Sequence, residues 1–182
     1  MTAEISDAAA RAAQACAETA AALRSAGVAP EALAEYVPPR RVLLWTRPAT
    51  MQALGEVWRL GALLLGDDGQ LFAAGRATRA AERGRPGYQS VSREERREIA
   101  AAALRGGYPA GTPVNFDAAA IRLDPASLAA SLTATSESPD SPVGFAEGEV
   151  RVRWRAGAPL TGAPTLASFL AERASLLIEP PL

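Results

Sequence analysis

The chain has 182 residues, of which 48% are hydrophobic and 21% charged, so it can bury a core and is not disordered as a whole. Its formal net charge of −1 argues against a nucleic-acid partner held by overall charge. The sequence has one cysteine and no histidine or lysine. This excludes lysine Schiff bases, a Walker-type lysine, a histidine general base and a thiolate zinc site. We therefore expect no metal and no cofactor.

Residues 1–39 are predicted to form an N-terminal helical segment. The first helix is predicted over residues 6–26, with an alanine-rich body and Gly27 as its stop signal. A short second helix is predicted over residues 28–36, with Pro30 in its first turn. The alanine-rich first helix is suited to close packing against its own copy, which suggests a homodimer.

Residues 40–182 are predicted to form a single α+β domain with a mostly antiparallel sheet. Residues 41–46 indicate a first strand, and residues 56–65 and 71–79 flank an Asp-Asp-Gly sequence that predicts a β-hairpin. We expect this hairpin at the centre of the sheet, with helices on one face. A doubly wound parallel sheet would instead alternate strands with helices.

The second half of the chain is predicted to contain further short helices and strands. Its predicted helices cover residues 92–105, 125–132 and 165–177, and its predicted strands cover residues 112–116, 120–123 and 150–155. Ser92 and Glu95 have the spacing of a capping box. Residues 133–142 are hydrophilic and are predicted to form a surface loop.

An arginine-rich stretch over residues 76–105 provides the candidate ligand-binding site. Arginine binds phosphate and carboxylate groups in bidentate fashion, and the helix start near Ser92 adds free backbone N–H groups. The predicted ligand-binding residues are Arg76, Arg79, Arg96, Arg97 and Tyr88. Glutamates are interspersed among these arginines, so the simpler alternative is a solvated surface of Glu–Arg pairs.

The remaining candidates are aromatic and acidic. Trp45, Trp58 and Trp154 each fall on a predicted strand, where core packing is expected, and Trp154, between two arginines, is expected to be partly exposed as part of an interface or stacking surface. The alternating VRVRW sequence around Trp154 could combine arginine and aromatic stacking on a nucleic acid, but acidic residues dominate the neighbouring stretch. Cys16 lies in the alanine-rich helix and is predicted to be a small buried side chain.

Several segments resemble a group of small proteins of high-GC Gram-positive bacteria, some of which carry the label glutaminase. These segments are EVWRLGALLLGDDGQLFAAGRATRA, SREERREIAAAALRGGYPAGTPVNFD, VRVRW and TLASFLAERASLL, within roughly residues 40–178. The resemblance implies no catalytic residue for this chain. Known glutaminase chemistries pair a serine with a lysine or a cysteine with a histidine, and the chain lacks both partners.

The missing catalytic inventory favours a non-enzymatic binding or interaction protein. The alternative is a hydrolase-like enzyme that acts on an anionic small molecule through carboxylates or hydroxyls. A single cysteine and the lack of a secretory signal predict a cytoplasmic location. No apolar run approaches the length needed to span a bilayer, so no membrane partner is expected.

Overall fold

The computed structural model describes residues 2–42, 44–84, 90–133 and 141–180, and within these residues the chain is α+β. The helices are α1 (Thr2–Ser25), α2 (Val91–Arg105), α3 (Pro125–Thr133) and α4 (Leu166–Ile178). The strands are β1 (Glu31–Val37), β2 (Arg40–Val42), β3 (Trp45–Arg47), β4 (Thr50–Leu60), β5 (Leu63–Gly66), β6 (Leu71–Ala73), β7 (Arg76–Arg79), β8 (Pro113–Phe116), β9 (Ala119–Ile121), β10 (Val143–Ala146) and β11 (Glu149–Val152). None of the helices in this described part is long and apolar enough to cross a membrane.

The main sheet is mostly antiparallel, as predicted, and β1 and β8 form a parallel pair within it. The chain divides into two compact units. The first unit takes the residues up to Ala29, Trp58–Ala73 and the residues from Ala119 onward, and its strands follow the order β4-β5-β6-β9. The second takes Pro30–Val57 and Ala74–Ala118, with the order β7-β8-β1-β4.

Helix α1 provides one wall of the core of the first unit. Its buried face has small residues in the middle and a larger one at each end, and it packs against α3 and α4; these residues are Ile5, Ala8, Ala12, Cys16, Ala20 and Leu23. Gly27 ends the helix with φ of +70°, and Val28 N–H donates to Leu23 O at 3.1 Å, as in a Schellman motif. The predicted helix and its stop are therefore confirmed. Its apolar face is used within the unit, and the homodimer through this helix stays a prediction.

The Asp-Asp-Gly sequence joins β5 to β6, which pair antiparallel as predicted. Both predicted strands are too long, because a turn at Gly61 and Ala62 divides residues 56–65 between β4 and β5, and residues 71–79 form two strands, β6 and β7, of which β7 pairs with β8. Gly61 has φ of +65°, which a glycine adopts without strain. In the strand order only β9 lies beyond β6, so the predicted central position of the β5–β6 hairpin is not confirmed. All four residues of β5 are buried, which shows that cover extends beyond one face of this strand.

The pair β10 and β11 forms a hairpin in the first unit, of which only the second strand was predicted. Glu147 and Gly148 occupy the two loop positions with φ of +53° and +75°, the signature of a type I′ turn. Strand β11 ends at Val152, so the predicted strand 150–155 is too long. Beyond β11, Arg153 N–H donates to Pro142 O at 2.7 Å, and the Arg153 side chain donates to two backbone carbonyls, Ser141 O and Ala158 O.

Helix α2 covers the core of the second unit. The buried apolar residues of this core are Ala34, Met51, Ala80, Ile99, Ala103, Val114 and Phe116. The helix agrees with its prediction over residues 92–105, but the capping box between Ser92 and Glu95 is wrong. Ser90 is the N-cap, with an extended backbone and no side-chain cap hydrogen bond. The N-cap thus lies two residues earlier than the capping pattern indicated.

Two predictions in the second unit are corrected by its strand pairing. Residues 28–36 were predicted to be helical, whereas β1 begins at Glu31 and pairs with β4 on one side and β8 on the other. These two ladders satisfy more backbone groups than a short isolated helix would. Residues 41–46 were predicted as one strand, but the chain reverses after Val42 and returns as β3. The hairpin leaves Trp45 80% exposed, so its expected core packing is wrong.

Candidate anion-binding site

Arg76 and Arg79 belong to β7 and make contacts with their own neighbourhood. Arg76 Nη2 lies 3.1 Å from Glu95 Oε1, and its guanidinium carbon lies 5.2 Å from the Phe116 ring centroid. Arg79 Nη1 donates to Gly111 O at 3.1 Å. Both side chains are exposed. These contacts match the pattern of a solvated, paired surface.

The helical arginines of the predicted site lie on α2. Arg97 Nη1 is 4.0 Å from Glu94 Oε2, and Arg96 is exposed without an ion pair to any described residue. Tyr88 lies outside the described residues. No cavity that we describe is lined by the predicted group. A ligand-binding role for Arg76, Arg79, Arg96, Arg97 and Tyr88 stays a prediction.

A different arginine cluster lies beside the β2–β3 hairpin of the second unit. Pro38 and Pro39 follow β1, and Pro48 follows β3, so prolines bound the hairpin at both ends. In the hairpin register Arg40 pairs with Arg47, Arg41 with Thr46 and Val42 with Trp45. Since side chains alternate along a strand, Arg40 and Arg47 share one face and Arg41 lies on the other.

The face that carries Arg40 and Arg47 borders an open cleft of about 520 Å³. This volume lies within the range of small-molecule sites, about 300–1,000 Å³. The lining residues are Val37, Pro38, Arg40, Arg47, Pro48, Ala49, Thr50, Gln52 and Arg105. The lining therefore combines three guanidinium groups, a hydroxyl and an amide, and it contains no carboxylate.

The positive charge of this cleft is only partly neutralised within the protein. Arg105 donates from Nε to Ala49 O at 2.7 Å and also binds Glu98, which fixes its side chain at the rim. Arg40 and Arg47 are exposed and form no ion pair with any residue in the described ranges. Like charges directly opposite each other weaken a strand pair. An anion between the two guanidinium groups would remove that repulsion.

The sequence itself contains a signal for this cluster, outside the predicted site at residues 76–105. The twenty residues between Glu35 and Glu56 contain Arg40, Arg41 and Arg47 and no acidic residue. An acid-free basic segment between prolines differs from a helix surface on which arginine and glutamate alternate. Arg105 was part of the predicted arginine stretch, but its proximity to the hairpin depends on tertiary structure.

The basic VRVRW strand of the first unit is used internally. Arg151 donates to Ala146 O at 3.2 Å and to Ala163 O, and its Nη2 lies 3.0 Å from Glu147. Arg153 binds two carbonyls, as described above. Trp154 is 73% exposed, in agreement with its prediction, and Arg155 lies over its ring at 4.4 Å. Because the side chains of Arg151 and Arg153 donate to backbone carbonyls of the same unit, the strand gives no support to nucleic-acid binding.

Cys16 is buried in α1, as predicted, and its environment makes the thiol unreactive. Burial raises the pKa of the Cys16 thiol to about 11, so the protonated form persists well above neutral pH. We expect Ellman's reagent at about pH 8 to leave the native protein unlabelled, because the nucleophile is the thiolate. The same reagent should label one thiol fully in guanidinium chloride. Rapid labelling of the native protein would contradict the buried position.

Comparisons with protein-family models, with curated proteins and with solved structures find no match for this chain. No group of three or more cysteine, aspartate or glutamate side chains in the described ranges could hold a metal ion. The assignment of function therefore depends on the chemistry of the cleft.

Proposed function

We propose that the protein is a non-enzymatic binding protein that takes an anionic small molecule in the cleft beside the β2–β3 hairpin. The observation that carries this proposal is the cross-strand pair of Arg40 and Arg47 in the lining of the cleft, without an ion pair to a carboxylate of the described residues. Each guanidinium group offers a planar fork of donors that fits two oxygens of a phosphate or carboxylate. Thr50 and Gln52 also line the cleft and add neutral hydrogen-bonding groups.

Binding fits this lining better than catalysis does. Arginine stays protonated and cannot act as a general base at neutral pH. The cleft offers no carboxylate, thiol or imidazole, so no lining group is suited to move a proton from water. The hydrolase alternative would need an acidic side chain beside the bound anion. Where an arginine does have an acidic neighbour, as Arg76 has Glu95, the two side chains form an ion pair with each other.

We further propose a cytoplasmic location for this binding protein, since a free buried thiol is compatible with a reducing compartment. The resemblance to small proteins of high-GC Gram-positive bacteria is compatible with this view and assigns no reaction.

The hairpin allows a matched test of the proposal with inorganic phosphate as the probe. In a calorimetric titration, Arg47→Ala should weaken phosphate binding roughly 10- to 150-fold, since hydrogen bonds to charged groups contribute about 1.5–3 kcal/mol. Arg40→Ala should act in the same direction. Arg41→Ala removes the same charge from the same hairpin but from its other face, and it should change the affinity far less.

The comparison of Arg47→Ala with Arg41→Ala separates a site from general charge attraction. Equal losses in the two variants would mean that phosphate responds only to net charge, which screening by salt would also reveal. Failure of the unmodified protein to bind phosphate or any other small anion would refute the proposal.

A further inference from the structure

The face that carries the arginine pair also presents an aromatic ring. Trp45 precedes Arg47 by two residues in β3 and pairs with Val42. Because side chains alternate along a strand, the indole lies on the same face as Arg40 and Arg47. Two residues along a strand span about 6.6 Å, so the ring lies one step beyond the arginine pair toward the tip of the hairpin.

The indole of Trp45 differs from the other two tryptophans in being both exposed and uncovered. Trp58 is buried, and its Nε1 donates to Val28 O at 2.8 Å. Trp154 is exposed, but Arg155 covers its ring. Trp45 is 80% exposed, and no aromatic ring or guanidinium of the described residues stacks on it. Its apolar face is thus free for a planar partner.

We infer that the anion bound in this cleft carries a planar aromatic ring beside its phosphate, as a nucleotide does, and that Trp45 stacks on that ring. This inference rests on the proposed function, since the arginine pair supplies the phosphate subsite. Every nucleobase has a π-face, so an exposed indole next to a phosphate subsite accepts a base without reading its identity. The inferred ligand class is therefore a mononucleotide.

A mononucleotide suits the geometry better than a nucleic-acid strand. A strand-binding groove repeats its cationic contacts along the phosphate backbone, whereas this face presents a single cross-strand arginine pair. The formal net charge of −1 also provides no general attraction for a polyanion. Stacking on one ring beside one phosphate subsite accounts for the arrangement of Trp45, Arg40 and Arg47.

The test compares AMP with ribose 5-phosphate, which has the phosphate but lacks the base. AMP should bind roughly 5- to 150-fold more tightly, the range expected for stacking one base on an aromatic side chain. AMP should also quench the tryptophan fluorescence of the protein, and ribose 5-phosphate should not. Equal affinities for the two compounds would overturn the inference, although phosphate binding itself would leave the proposed function intact.

Three tryptophan variants locate the effect. Trp45→Ala should remove the advantage of AMP and the fluorescence quenching while leaving the affinity for ribose 5-phosphate unchanged, which also shows that the variant is folded. Trp45→Phe should restore part of the advantage. Trp154→Ala removes another exposed tryptophan and should change neither readout. Retention of quenching in Trp45→Ala, or binding of a single-stranded oligonucleotide in preference to AMP, would contradict the inference.

Discussion

Replacement of Gly75 by alanine is expected to destabilise the second unit by about 3 kcal/mol or more, at the upper end of the cost of overpacking. Gly75 precedes β7, and Asp117 follows β8, directly across the antiparallel pair. A Cβ atom on Gly75 would lie 2.2 Å from Asp117 O and 2.6 Å from Phe116 O. Backbone atoms cannot move aside as a flexible side chain can, so the pairing between Arg76 and Phe116 would have to open.

The control for Gly75→Ala is Gly111→Ala in the same unit. A Cβ on Gly111 would meet no atom within 4 Å, but the residue has φ of +89°. The control therefore measures only the cost of a positive φ in an L-residue, about 1–2 kcal/mol. Urea denaturation followed by circular dichroism should show a distinctly larger loss for Gly75→Ala. Similar losses in both variants would mean that the backbone contact at Asp117 is relaxed in solution.

Sequence signals were sufficient where a helix end is encoded locally. Gly27 predicted the end of α1 because a positive φ is needed there, and Thr165 predicted the start of α4. Thr165 Oγ1 indeed accepts from Ser168 N–H at 3.2 Å. Asp124 plays the same part before α3, where its carboxylate accepts from Ser127 N–H. Each of these interactions spans only a few residues.

The failures occur where the conformation depends on distant partners. Pro30 fits the first turn of a helix, yet β1 forms because β4 and β8 provide backbone ladders on its two sides. The β-bulge in β4 likewise depends on both strands. Leu33 and Ala34 of β1 pair with Gly55 and Ala53, which leaves Leu54 without a pairing partner. The helix and strand propensities of residues 28–36 carry no information about the neighbouring strands β4 and β8.

The candidate site could be predicted only in part for the same reason. The acid-free segment around Arg40 and Arg47 is visible in the sequence, but the two residues between the paired Val42 and Trp45 are both leucine, with no glycine, asparagine or aspartate to indicate a hairpin. When no hairpin is recognised, the sequence predicts a single strand here, with the two arginines seven residues apart. Arg105 reaches the same cleft from the end of a helix, through Ala49 O and Glu98.

A second large effect is expected at Asn115, a fully buried polar residue of β8. Its Nδ2 donates to Glu31 Oε2 at 2.8 Å and to Ala32 O at 3.2 Å. Asn115→Asp replaces this donor by a carboxylate that faces two acceptors. We expect a loss of about 3 kcal/mol or more at about pH 7, because the new carboxylate is buried and one of its oxygens faces the acceptors Glu31 Oε2 and Ala32 O.

The loss in Asn115→Asp should depend on pH, with a sign fixed by the environment of the new carboxyl group. Burial and the neighbouring Glu31 raise the pKa of that carboxyl in the folded state above its unfolded value of about 3.9. The folded protein therefore holds the proton more tightly, and the loss is smallest below about pH 4 and grows as the pH rises through the folded-state pKa. Protonated, the group can donate to Glu31 as Asn115 does.

Asn115→Leu separates the effect of charge from the loss of the hydrogen bonds. Leucine has a similar size but does not titrate, and the partly exposed Glu31 can hydrogen-bond to water in place of the Asn115 amide. Urea denaturation of both variants between about pH 4 and pH 8 should show a pH-dependent difference only for Asn115→Asp. Parallel pH profiles for the two variants would mean that water reaches position 115, since a solvated carboxylate needs no donor from the protein.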